Sequence, residues 1–175
     1  MGLNGKNKST SKDLLWLIAA FILIAVTVRS WYPIQQGSGK NDFTLTDIYG
    51  DEFSLNDFTG KVVLLDFMAT WCGPCKASMS GLVALHEELG DRVEIVSISV
   101  SPASDSELML RAWKADWGAD WIHARDLADP PVSQTYKVTA IPTYVIIDRN
   151  GVETFRHVGV TPEATLMEEL LSLLG

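Results

Sequence analysis

The stretch Lys61-Val62-Val63-Leu64-Leu65-Asp66-Phe67-Met68-Ala69-Thr70-Trp71-Cys72-Gly73-Pro74-Cys75-Lys76 decides the fold. Lys61 to Met68 is a near-continuous apolar run. That pattern suits a central strand covered on both faces, where alternation is lost. A helix of about 15 residues is expected to follow from Cys72 to Glu88, because Met79, Leu82, Val83 and Leu89 recur at helical spacing. The two cysteines therefore fall on the first turn of a helix, directly after a buried strand. Residues i and i+3 there share a face with Cα atoms about 5–6 Å apart, within disulfide reach.

This placement has chemical consequences. Unpaired N–H groups and the dipole at a helix N-terminus stabilise a thiolate, so Cys72 is the expected nucleophile. Cys75, one turn in, is expected to be less exposed and to act as the resolving thiol. Pro74 lacks an N–H, which costs nothing in a first turn. The chain has only these two cysteines. They are too few for a disulfide scaffold and for a four-ligand structural zinc site. A bare C-x-x-C can still be half of a metal site, and delivery of Cu(I) or Zn(II) is the rival reading. His86, His123 and His157 share no ligand spacing, and Met68, Met79 and Met109 form no copper tract, so no metal site and no cofactor are expected.

Further along, Val93 to Val100 reads as a second strand. Ser104 or Asp105 is a candidate cap for a helix running to Trp117, with Gly118 as its stop. Trp113 and Trp117 fall on one face of that helix, and Trp121 starts the next strand. Thr143 to Ile147 is a third long strand. Asp148-Arg149-Asn150-Gly151 is a hairpin turn, and Glu153 to His157 returns. Thr161-Pro162-Glu163 opens a terminal helix with Leu166, Leu170, Leu173 and Leu174 on its core side. The expected class is α/β: a central mixed sheet with helices on both faces, its reactive turn at the carboxyl end of the 61–68 strand.

The net charge is −8 over 175 residues, and hydrophobic residues make up 47%, enough for a packed core. From Lys40 onward there are 10 Lys and Arg against 21 Asp and Glu, a net of −11. So acidic a domain repels phosphate backbones, and no nucleic-acid partner is expected. Before it, Leu14 to Val28 is apolar apart from Thr27. Lys12 to Arg29 would span about 25 Å as a helix, close to the bilayer core once both side chains snorkel. Trp31 and Tyr32 follow as an interfacial belt would, and Lys6, Lys8 and Lys12 precede it, placing the N-terminus in the cytoplasm. A buried core helix is disfavoured by the missing polar face. A cleaved signal peptide competes, but Val28-Arg29-Ser30 is a poor cleavage site. The expected layout is a basic cytoplasmic tail over 1–12, a single transmembrane anchor over 13–32, a linker over 33–41 and an extracytoplasmic domain over 42–175.

Val62 to Lys76 closely resembles the active-site strand and helix of thioredoxin, and Ile141-Pro142-Thr143 resembles that family's cis-proline loop. The added Ser101–Pro131 region, Tyr136-Lys137-Val138 and Ile147-Asp148-Arg149-Asn150-Gly151 look like the membrane-anchored TlpA/ResA-type thioredoxin-like proteins. The resemblance covers roughly residues 41–175. It implies a thioredoxin fold and a thiol–disulfide oxidoreductase with a redox-active Cys72–Cys75 disulfide. Asp66 matches the buried acid that helps deprotonate the resolving thiol, and Pro142 the cis-proline opposite the disulfide. Trp71, Gly73, Pro74 and Ile141 match the surface that meets substrate. Implied partners are protein disulfides and a membrane thiol-transferring electron donor. Gly73-Pro74 resembles the reducing members, with a cytochrome c haem-site disulfide as one substrate and oxidation or isomerisation as the rival direction. Four positions depart from the pattern: Ser78 and Ser80 stand where many anchored members carry Glu and then Pro, Asp66 stands where many carry Asn, and Ser97 stands at the place of the thioredoxin lysine.

Overall fold

The computed structural model describes residues 41–175. The basic tail, the anchor and all but the last residue of the linker lie outside them. Among the described residues no helix is long and apolar enough to cross a membrane.

The chain begins with a short hairpin, β1 (Thr44–Thr46) and β2 (Glu52–Ser54). Neither strand was expected, since three residues are too few to show a period of two. The 61–68 run forms β3 (Val62–Met68), whose seven residues are all buried. It leads into α1 (Gly73–Leu89), then β4 (Val93–Ser99), α2 (Glu107–Trp117) and β5 (Ile122–Arg125). A single-turn α3 (Val132–Thr135), β6 (Thr143–Ile147), β7 (Glu153–Val158) and α4 (Glu163–Leu174) complete the domain. The main sheet has the order β5-β4-β3-β6-β7. β3, β4 and β5 run parallel, while β6 is antiparallel to both β3 and β7. This is the mixed sheet expected from the strand and helix pattern.

Its two faces are covered unequally. Val62, Leu64, Met68, Ile95 and Ile146 point to one face, where α1, α2 and α4 pack through Leu82, Leu85, Leu110, Trp113, Leu166 and Leu170. Both cysteines belong to this cluster. Val63, Leu65, Phe67, Val96 and Val145 point to the other face, covered by Phe43, Leu45 and Phe53 of the N-terminal segment and by Val132 and Tyr136. Helices on both faces were expected, but the second face carries one helical turn and a hairpin.

Gly118 ends α2 in the left-handed conformation (φ 64°), as its stop signal implied. The start of α2 differs from expectation. Ser106 is the cap, its hydroxyl accepting from the Met109 N–H at 3.3 Å. Asp105 has another task, described below. The Asp148–Gly151 turn forms as expected, with Asp148 Oδ1 accepting from the Asn150 and Val152 N–H groups.

Phe67 is fully buried, with its ring 5.7 Å from that of Tyr136. We predict that Phe67→Ala costs about 3–5 kcal/mol of unfolding free energy. Leu171→Ala, at an exposed position of α4, should change it by no more than about 0.5 kcal/mol. Urea unfolding of both variants checks this, and equal effects would show that the second face is not a closed core.

Candidate active site

Cys72 is the N-cap of α1, and Gly73 and Pro74 are its first two residues. The Cys75 N–H donates to Cys72 Sγ at 3.1 Å, and the two residues are disulfide-bonded with Cα atoms 5.2 Å apart. The first turn thus points one of its unpaired donors at the Cys72 sulfur, where a thiolate would carry charge. Exposure does not separate the two cysteines as expected: Cys72 is 4% and Cys75 3% exposed. Their asymmetry lies in hydrogen bonding and position on the helix.

Around the pair, Trp71 is 60% exposed, and Gly73 and Pro74 are also open. A Cβ built on Gly73 meets nothing within 4 Å. The approach over the first turn is therefore unobstructed. The Ile141–Pro142 peptide is cis, as is Asp129–Pro130. Pro142 is buried, and its carbonyl accepts from the Gly159 N–H at 2.7 Å. Ile141 packs against the cluster that contains both cysteines. Its own N–H and C=O enter no turn or loop backbone hydrogen bond among the described residues. The fold thus brings Trp71, the cysteines and the Ile141-Pro142 loop to one end of the sheet.

Asp66 lies in the middle of β3, on the face that α1 covers, and is 2% exposed. Burial pushes its carboxyl up to about 7, opposed by a hydrogen bond from the Ser97 hydroxyl to Oδ2 at 2.9 Å. No cation contributes to this shift. The strand registers set Tyr144 on one side of Asp66 and Ser97 then His123 on the other. Burial, and secondarily the Asp66 charge, raise the Tyr144 phenol well above its ordinary range. Its hydroxyl is buried, and the Ser78 side chain opposes the rise. Ser78, one turn beyond Cys75, donates to the Pro74 carbonyl at 3.3 Å. Burial lowers His123 to about 4, so it is neutral.

The sequence reading missed Asp105. It is completely buried and accepts from the Thr70 N–H (3.0 Å), the Thr70 hydroxyl (2.7 Å) and the Ser99 hydroxyl (2.6 Å). It fastens the loop before Cys72 to the end of β4. In a serine-rich stretch it reads as a helix cap, and only the pairing of β3 with β4 reveals its partner. Tyr144 was missed too, although the period of β6 places it on the same face as Ile146.

The Redoxin family model matches residues 35–171. Thioredoxin-like protein YneN of Bacillus subtilis (strain 168) is 30% identical over 165 residues, 89% of this chain and 96% of its own. Thiol-disulfide oxidoreductase ResA of Geobacillus kaustophilus (strain HTA426) is 35% identical over 118 residues, 66% of this chain and 64% of its own. A Chlorobium tepidum crystal structure assigned as thiol:disulfide interchange protein DsbE superposes with a TM-score of 0.68 and 31% identity. It covers 79% of this chain and 97% of that one.

Asp66 has a folded pKa raised far above the ordinary carboxyl value of about 3.9. Between roughly pH 4 and 7 the native state holds a proton that the unfolded state has released, so this group lowers stability as pH rises through that window. His123, depressed on folding, acts oppositely between about pH 4 and 6.5. Comparison with Asp66→Asn isolates the first contribution. We predict that Asp66→Asn is more stable than the parent by on the order of 3 kcal/mol at pH 8, with the gain vanishing near pH 4. Denaturant unfolding at several pH values measures it. A gain independent of pH would mean that the carboxyl is not proton-linked to folding.

Proposed function

The chain belongs to the Redoxin family, and from that premise we propose that it is a disulfide reductase acting outside the cytoplasmic membrane. It is a thiol–disulfide oxidoreductase, and the carrying observation is the Cys72–Cys75 disulfide at the N-terminus of α1, with the Cys75 N–H aimed at Cys72 Sγ. In the proposed cycle the Cys72 thiolate attacks one sulfur of a substrate disulfide, the substrate S–S bond breaks with its other sulfur leaving as a thiolate, and a mixed disulfide forms. Cys75 gives its proton to Asp66, directly or through water. The Cys75 thiolate then attacks Cys72 sulfur, the substrate thiol leaves, and the Cys72–Cys75 disulfide is restored. Two electrons pass from the dithiol to the substrate. A membrane dithiol donor returns them.

Trp71, Gly73 and Pro74 line the open side of this site, and the Ile141 backbone is placed to pair with an extended substrate segment. A haem-attachment disulfide of an apocytochrome c is one substrate of the right chemistry. The reducing direction rests on three features. Gly73-Pro74 places no histidine between the cysteines. Asp66, once ionised above about pH 7, brings negative charge to the face that carries the pair, which disfavours a thiolate in the reduced state. Ile141 precedes Pro142, as in the reducing members of the superfamily. The helix dipole at Cys72 acts the other way, but by less than about 2 kcal/mol.

We predict a reduction potential on the order of −270 mV, the thioredoxin value, and not the roughly −120 mV of a strong oxidant. The gap of about 150 mV corresponds to about 7 kcal/mol for two electrons, more than the opposing dipole contributes. Equilibration with glutathione buffers and quantification of both forms measures it. A value above about −180 mV would reverse the proposed direction.

The location rests on the apolar run Leu14–Val28 and the three lysines before it. We propose an uncleaved single-pass anchor with residues 1–12 cytoplasmic. An impermeant thiol reagent applied to intact, mildly reduced cells should label Cys72. Labelling only after lysis would invert the topology.

A further inference from the structure

Asp66 is not alone on its strand row, and its neighbours restrict where a proton can sit. The Trp121 indole Nε1–H donates to Ser97 Oγ at 2.9 Å, and the Ser97 hydroxyl is 2.9 Å from Asp66 Oδ2. An indole N–H can only donate, and a serine hydroxyl has one hydrogen. The indole can only donate to Ser97, and when Asp66 is ionised, as it must be to take a proton, Ser97 donates to Asp66. In that ionised form Oδ2 faces a donor. No hydrogen bond among the described side chains reaches Oδ1.

The relay is enclosed by packing. Trp121 is 5% exposed, Ser97 1% and Asp66 2%. The Trp121 ring stacks on His123 at 5.6 Å, and the ring of His86 from α1 meets its edge at 5.4 Å. His123 Nε2 is bonded to the Ala119 carbonyl at 3.1 Å, which fixes that ring in turn. The titratable groups flanking Asp66 in the sheet are Tyr144 on β6 and His123 one strand beyond Ser97, and Cys75 of α1 belongs to the apolar cluster on the same face of the sheet. His157 of β7 lies beyond Tyr144. Tyr144 and His123 are neutral through the physiological range.

We propose that Ser97 and Trp121 are positioning residues for thiol–disulfide exchange, holding Asp66 Oδ2 as a hydrogen-bond acceptor so that the proton taken from Cys75 is received on Oδ1. This rests on the reading of Asp66 as the proton acceptor for the resolving thiol. In that step the Cys75 S–H proton passes, directly or through water, to Oδ1. The Cys75 thiolate forms the bond to Cys72 sulfur, the bond from Cys72 to the substrate sulfur breaks, and the substrate leaves as a thiolate. Ser97 stabilises the charged, receptive form of Asp66, and Trp121 keeps the Ser97 hydrogen pointed at it.

The test is the pH profile of resolution. The reduced full chain in mild detergent is mixed with 5,5′-dithiobis(2-nitrobenzoate) in a stopped-flow instrument, and release of the second equivalent of aromatic thiol is followed from pH 5 to 9. Ser97→Ala should move the midpoint up by about one pH unit, a roughly tenfold loss of rate on the acid side. Trp121→Phe, which keeps the ring and loses only the N–H, should move it the same way by less. Ser97→Thr should restore the parent profile. Asp66→Asn is the control and should abolish the inflection. If Asp66→Asn does so while Ser97→Ala and Trp121→Phe leave the midpoint in place, the relay has no part in the reaction. If Asp66→Asn leaves the profile unchanged, the reading of Asp66 as proton acceptor fails, and the relay proposal fails with it.

Discussion

A carboxyl group with no cation contributing to its ionisation sits in the middle of the central strand, and much of the active end is arranged around that fact. Leaving Asp66 ionised and unpartnered in such a place would cost several kcal/mol. The fold does not remove that penalty by an ion pair. It supplies one hydroxyl from Ser97 and otherwise keeps the group dry, so the carboxyl stays protonated to about pH 7. The result is a group that changes charge near neutrality beneath a sulfur pair whose own chemistry turns on losing a proton. Tyr144 and His123, neutral on the same row, add no competing charge.

Above that row, a second constraint keeps the cysteines in register. The first turn of α1 directs the Cys75 N–H at Cys72 Sγ. The loop before it is held by Asp105, which takes both the N–H and the hydroxyl of Thr70. Helix and loop are thus fastened independently, one from within α1 and one from the far end of β4. The dipole of α1 favours charge on Cys72, while Asp66 below disfavours it. The redox character of the pair is the balance of these two, and both are built from backbone and burial.

Much of this was legible in the sequence because the information there is local. The seven residues of β3 announce a doubly covered strand, and the cysteine spacing after it places a helix N-terminus without any tertiary knowledge. Gly118 and Asp148–Gly151 likewise act through their own backbone conformations. What was not legible depends on register between distant strands. Asp105 reads as a helix cap because its neighbours Ser104 and Ser106 are cap residues too. Ser106 takes that role only because Asp105 is drawn to Thr70 and Ser99 by the pairing of β3 with β4. Trp121 reads as plain packing, and its N–H acquires a partner only when Ser97 lies alongside. The hairpin β1–β2 is too short to carry a pattern.

The two faces of the sheet have separate apolar cores. One contains both cysteines and the three longer helices, and the other is filled by the N-terminal hairpin, the α3 turn and the alternate residues of the same strands. A substitution on the first face shifts α1 and hence the sulfur pair, so its cost falls on reactivity as well as on folding. A substitution on the second is buffered from the chemistry by the thickness of a sheet. Inherited change is therefore expected to accumulate unevenly, with lineages free to exchange Phe43, Leu45, Phe53, Val132 and their neighbours for other apolar sets while the opposite side stays fixed.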